Sequence, residues 1–293
     1  MLPADYLKRL RSLEVRARLV SEQLMSGQSL SVFKGRGLDF AEVREYVPGD
    51  DVRRIDWNVT ARLRRPFVKR HVEERELVMM LLVDVSASGY FGTRGQTKRE
   101  LAAELAGALA LGAIRDNDRV GLLLYTDRVE RYIPPRKSRI HVTRLIHTLL
   151  FHEPQGRGTS LSTALKFFNN IIHRPAVLFV LSDFHDSGFE RVLKASNQRH
   201  EVIAFPIIDR REHELPDVGV AVLQDPESRE ILEIDTSDPE VRSGWERLQR
   251  SRQDALRETF RRSGIGAFDL HTGTPYAHKL RTFFEHHSKR RVA

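Results

Sequence analysis

Three short motifs in this 293-residue chain carry small oxygen-bearing side chains at spacings that suit a hard cation. The first is DVSAS, which sets Asp84, Ser86 and Ser88 at alternate positions behind the apolar run LVMMLLV at 77–83. The second is GRGTSLS at 156–162, a glycine-flanked loop that delivers Thr159. The third is SDF, where Asp183 closes the apolar run AVLFVL. Mg²⁺ takes octahedral oxygen ligands at about 2.0–2.1 Å and keeps part of its water. Two carboxylates and three hydroxyls can ligate it directly or hold those waters. Such a mostly neutral set leaves the cation electrophilic, so a partner's carboxylate would complete its shell. That is adhesion chemistry rather than turnover. Read alone, DVSAS could equally be a turn whose serines cap the next helix.

These motifs need elements that bring them together. An apolar run of strand length bounded by turn signals reads as a buried strand. Runs at 77–84, 119–126, 176–184 and 201–209 qualify, with VERYIPP at 129–135 as a hairpin partner. Helices are predicted over 97–115, 140–151, 160–172 and 188–199. Buried strands alternating with helices predict an α/β fold with a doubly wound, mostly parallel sheet. In such a sheet Asp84 and Asp183 emerge at one edge, outside the carboxyl ends of the strands, where ligands bind.

Outside this rhythm, residues 4–26 read as an amphipathic helix, with Tyr6, Leu10, Leu13, Ala17, Val20 and Leu24 on one stripe. Four segments follow: an N-terminal helix at 1–28, a strand-rich basic element at 29–76, the sheet domain at 77–210, and an extension at 211–293. The extension reads as a hairpin at 220–236, a long helix at 239–263, a strand at 267–272 and a last helix at 275–287, packed on the same sheet.

Composition narrows the classes. Cysteine is absent, which excludes disulfides, thiolate zinc sites and a cysteine nucleophile. No segment approaches the roughly 20 apolar residues of a membrane helix. The charged first residues lack a signal-peptide core, so a cytoplasmic location is expected. Net charge is +8, and residues 53–71 carry seven Arg or Lys against the single acid Asp56. That run could face nucleic acid or an anionic surface. It could equally be a solvated face paired with Glu73, Glu74 and Glu76. Within GDDVRRIDW, the mix of Asp50, Arg53 and Asp56 suggests an ion-paired clasp holding this element to the core, with Trp57 burying its ring; the alternative reading is a docking surface.

Enzyme signatures are missing. A haloacid dehalogenase phosphatase needs a second aspartate two residues after the first, and Ser86 stands there. GTRGQTK at 92–98 lacks the GK[ST] ending of a phosphate loop. His185, His286 and His287 read as surface residues. A metal-assisted hydrolase is a further alternative, weakened by the absent general base beside Ser86.

Asp84, Ser86, Ser88, Thr159 and Asp183 in this order resemble the metal-ion-dependent adhesion site of von Willebrand factor A domains. A longer stretch, GRGLDFAEVREYVPGDDVRRIDWNVTARLRRPFVKRHVEERE followed by DVSAS, resembles the domain-of-unknown-function 58 family. The matching positions are Gly35, Gly37, Phe40, Arg44, Tyr46, Gly49, Asp50, Arg53, Ile55, Asp56, Trp57, Ala61 and Arg62, with PPRK, SDF and DPES downstream. Gly89 and Ser160 depart from it, where methionine and aspartate are common. The resemblance implies a von Willebrand A-like sheet, Mg²⁺ or Mn²⁺ at the five oxygens, and no catalysis. It also implies a protein partner, a MoxR-type AAA+ ATPase or its client, for which the chain would act as adaptor or co-chaperone.

Overall fold

Successive residues of each central strand point to opposite faces of one sheet, and both faces are apolar. The computed structural model describes residues 4–25, 42–70, 76–93, 95–224 and 230–292. Helix α1 (Ala4–Met25) leads to β1 (Glu42–Glu45), α2 (Trp57–Leu63) and β2 (Phe67–Arg70). The main sheet then begins with β3 (Val78–Asp84), α3 (Lys98–Arg115), β4 (Arg119–Tyr125), β5 (Val129–Arg136) and α4 (Arg139–Phe151). It continues through α5 (Leu161–Ile171), β6 (Val177–Ser182), α6 (Glu190–Arg199) and β7 (Glu201–Ile208). The remainder is α7 (Arg210–His213), the hairpin β8 (Val220–Gln224) and β9 (Ile231–Asp235), α8 (Pro239–Arg262), β10 (Gly266–Ala267), β11 (Leu270–His271) and α9 (Ala277–Val292).

The strand order is β10-β7-β6-β3-β4-β5, with β11 also on β7. All pairings are parallel except β4 with β5. Counted within the sheet from β3, this is the 3-2-1-4-5-6 order of doubly wound folds. The order reverses between β3 and β6, the two strands that end in Asp84 and before Asp183.

Met79, Leu81, Val83, Phe179 and Phe205 face one core, which α1, α3, α4 and α9 cover. Met80, Leu82, Leu178 and Val180 face the other, under α5, α6 and Phe260 of α8. Helix α3 is rich in alanine, leucine and glycine because it is covered on several sides. A Cβ on Gly107 would stand 2.9 Å from Ile146 and 3.0 Å from Ala17, so only glycine allows this approach of α1 and α4. The region predicted as one strand at 267–272 forms two short pieces on β7, since Phe268 and Asp269 leave the ladder between them. No described helix is long and apolar enough to cross a membrane.

The 42–70 element differs from the clasp expected for it. β1 and β2 pair antiparallel, Ile55 bridges to Val68, and Arg44 binds Asp50 at 2.5 Å. Trp57 does not bury its ring: it is 70% exposed, and α2 buries none of its residues. Glu76 pairs with Arg119 and Lys137 rather than with the basic run. Gly35, Gly37, Phe40, Glu73, Glu74 and the DPES turn lie outside the described residues. His287 is not a surface residue either, since it stacks on Phe283 and bonds Glu201 at 3.2 Å.

Candidate metal centre

Four of the five predicted ligands form one chain of short contacts at the switch point of the sheet. Asp84 ends β3, and its Oδ1 accepts the Ser86 amide at 2.9 Å. Its Oδ2 accepts the Ser182 hydroxyl at 2.8 Å, across from the end of β6. The Ser86 and Ser88 hydroxyls lie 3.1 Å apart, and Ser88 donates to Asp183 Oδ2 at 2.7 Å. Ser86 starts the short helical turn Ala87–Tyr90 but makes no capping bond with its side chain. The capping explanation of DVSAS therefore fails, and both hydroxyls turn toward the carboxylates.

Phe184 holds the third motif in place. Its φ of 55° is the left-handed region, costly for a bulky residue by about 1–2 kcal/mol. The Ser182 hydroxyl accepts its amide at 3.0 Å, and its ring packs against Phe189 and Phe260. This bend follows Asp183 directly.

Thr159 is half-buried in the loop before α5. Its loop is pinned from both sides. Ser160 donates its amide to Thr126 O at 2.8 Å, and Leu161 donates to Asp186 Oδ2 at 2.7 Å. Upstream, the Glu130 carboxylate accepts the Gly156 and Gln155 amides at 2.7 and 3.1 Å and the Thr126 hydroxyl at 2.8 Å. A Cβ on Gly156 would come within 2.0 Å of Thr126 Oγ1, which requires glycine there.

Burial works against ionised Glu130, yet the Gly156, Thr126, Gln155 and His152 bonds outweigh it and hold the carboxyl at about 2. A depressed carboxylate stabilises above its unfolded value near 4.5 and loses that contribution as pH falls through the folded value. Glu130→Gln is therefore expected to remove about 2–3 kcal/mol at neutral pH and to flatten the acid limb between about pH 4.5 and 2. Urea midpoints measured across that range check it; an unchanged acid limb would refute it.

Sequence reasoning missed Lys98. Its ammonium is 3% exposed and lies 2.8 Å from Asp183 Oδ2 and 2.5 Å from Glu212 Oε1. Burial pulls Lys98 down, but Asp183 and Glu212 raise it further, so it stays charged. Burial would also raise Asp183; Lys98 then dominates and holds it near 2. Asp84 forms no ion pair with a described residue. Burial, then the Asp183 charge, push it up to about 7. Tyr125, paired with Asp84 in register, is fully buried and its hydroxyl meets no partner. The only signal for Lys98 in the sequence is its place in GTRGQTK, a stretch that raises phosphate binding and says nothing about a carboxylate partner.

The donor set fits a small divalent ion. The 3.1 Å between the serine hydroxyls matches the cis edge of an octahedron, about 2.9 Å for 2.0–2.1 Å bonds. A 20 Å³ cavity beside Asp84, Ser88, Lys98, Ser182 and Asp183 admits one water-sized group. Half-buried Asp84 has no cation beside it among the described residues, and the buried Tyr125 hydroxyl lies close by with no hydrogen bond of normal geometry. No group of three or more His, Cys, Asp or Glu that could hold a metal ion occurs among the described residues.

Comparison with known proteins decides the family. The model of "Protein of unknown function DUF58" matches residues 42–255. The chain belongs to the DUF58 family. Uncharacterised proteins of Mycobacterium tuberculosis and Mycobacterium bovis are 35% identical to it over 266 residues, 90% of this chain and 84% of theirs. Among solved structures, this DUF58 chain is similar to the conserved hypothetical protein BatB of Bacteroides thetaiotaomicron. That match has a TM-score of 0.48 at 14% identity, over 73% of this chain and 99% of BatB. It is also similar to the SpRpn10 VWA domain, with a TM-score of 0.37 at 12% identity, over 70% of this chain and 93% of that domain.

Proposed function

We propose that this DUF58 protein is a non-enzymatic, metal-dependent protein-binding module. Ser86 and Ser88 would hold Mg²⁺ or Mn²⁺ through their hydroxyls, with Thr159 from the neighbouring loop. Asp84 and Asp183 would bind it directly or through its waters. When bound, the cation supplies an electrophilic position for a partner's carboxylate. The observation that carries this reading is the paired serine hydroxyls between Asp84 and Asp183, with Asp84 half-buried and in no ion pair with a described residue. The DUF58 resemblance supports a MoxR-type AAA+ ATPase or its client as that partner, with this chain as adaptor.

The chain's own residues do the positioning. Ser182 holds Asp84, Lys98 holds Asp183, and Glu130 and Asp186 hold the Thr159 loop. Titration calorimetry with Mg²⁺ is expected to give saturable heat for the wild type and none for Asp84→Ala. Ser182→Ala should weaken the cation about 10–100-fold, the usual effect of losing a group that orients a ligand. Equal heats for wild type and Asp84→Ala would sink the metal reading.

A further inference from the structure

We propose that the 42–70 element is a second docking surface, shaped for an acidic, apolar-faced segment of a protein partner and independent of the metal centre. Four large apolar side chains stand open on this short element. Val47 is 57% exposed, Val52 60%, Trp57 70% and Leu63 56%. Several large apolar side chains left open on one short, charged element point to an interaction site rather than a folding need. Helix α2 gives the fold nothing to bury, so the tryptophan is not there for the core.

The described acidic side chains of the element are already engaged. Asp50 takes Arg44 and the Val47 amide, and Glu45 takes Arg65. Asp51 accepts the Arg53 amide, and Asp56 caps α2 through the Asn58 and Val59 amides. Arg53, Arg62 and Arg64 are exposed, and none forms an ion pair with a described residue. Trp57 and Ala61 fall at i and i+4 on α2 and are both exposed, and exposed Arg64 closes the end of the same helix. Exposed cations with no ion-pair partner among the described residues favour an acidic rim on whatever covers them, and the whole chain carries +8.

Protein is favoured over nucleic acid by the aliphatic neighbours. A base would stack on Trp57 and phosphates would meet the arginines, but Val47, Val52 and Leu63 offer nothing to either. Tryptophan and arginine within an aliphatic surround is the composition of a protein hot spot.

The chain has two tryptophans, so Trp245→Phe makes Trp57 the sole reporter. This full-length variant is titrated with a fluorescein-labelled Glu/Leu amphipathic peptide, its Lys/Leu counterpart, duplex DNA and phosphatidylserine vesicles, each with and without chelator. The expected result is a saturable blue shift of Trp57 with the acidic peptide alone, unchanged by chelator. Peptide anisotropy should show binding weakened about 30-fold or more by Trp57→Ala and about tenfold by Arg64→Glu. Both positions are exposed, and far-UV dichroism confirms that the variants fold. No shift with the acidic peptide overturns the proposal. So does equal binding of the Lys/Leu peptide, or a stronger response to DNA or vesicles. Loss of binding on chelation would assign the peptide to the metal centre and also overturn it, whereas failure of Mg²⁺ to bind at Asp84 leaves it standing.

Discussion

Lys98→Met is expected to lower stability without divalent cation by about 3–5 kcal/mol, the usual cost of removing one partner from a buried ion pair. The reason is the neighbourhood it leaves. Asp183 is 7% exposed at its side chain and Glu212 20%, and both lose their cation while Asp84 stays close by. Methionine fills the volume but brings no charge. A divalent ion would then be the nearest remedy for that excess of negative charge. Millimolar Mg²⁺ should accordingly raise the melting temperature of Lys98→Met more than that of the wild type. Urea unfolding and thermal melts with and without Mg²⁺ read both effects. A loss below about 1 kcal/mol would mean that the pair behaves like a surface salt bridge.

The second large effect is expected at Asp209, which lies at the end of β7 and is 0% exposed. It accepts the Thr93 amide at 2.9 Å, the Thr93 hydroxyl at 2.7 Å, the Thr272 hydroxyl at 2.6 Å and the Arg211 amide at 2.9 Å. One carboxylate thus ties the loop after DVSAS to the residues after β11 and to the start of α7. Hydrogen bonds to a charged group contribute about 1.5–3 kcal/mol each, and those sharing one group do not add fully. Asp209→Ala should therefore lower stability by on the order of 4 kcal/mol, measured by urea unfolding at neutral pH. Burial raises this carboxyl, but the Thr272 and Thr93 bonds outweigh it and leave it below 3.8. Its contribution is present above the unfolded value and fades as pH falls through the folded one. A loss under about 1 kcal/mol would show that the loop is held by other contacts.

The two predictions share a cause that the linear chain does not display. Lys98 and Asp183 are 85 residues apart, and Lys98 and Glu212 are 114 apart. Thr93 and Asp209 are 116 apart. Nothing in GTRGQTK or IIDRREH advertises a charge partner, because a pairing between segments this far apart leaves no local pattern in either. Trp57 shows the opposite failure. An aromatic beside mixed charges suggested burial, but burial needs an apolar surface to meet it, and α2 faces none.

What the sequence by itself determined is periodic or local. Buried strands showed as continuous apolar runs because both of their faces are covered, and intervening helices showed through their own spacing. Strand ends placed Asp84 and Asp183 at one edge once the sheet was parallel, and DVSAS kept two hydroxyls within two residues of a carboxylate. Tertiary structure alone decided which distant cation neutralises Asp183, why Asp84 is left without one, and which apolar side chains stay open. Those outcomes depend on desolvation and on distances across the sheet, and both arise only when segments remote in sequence close on one another.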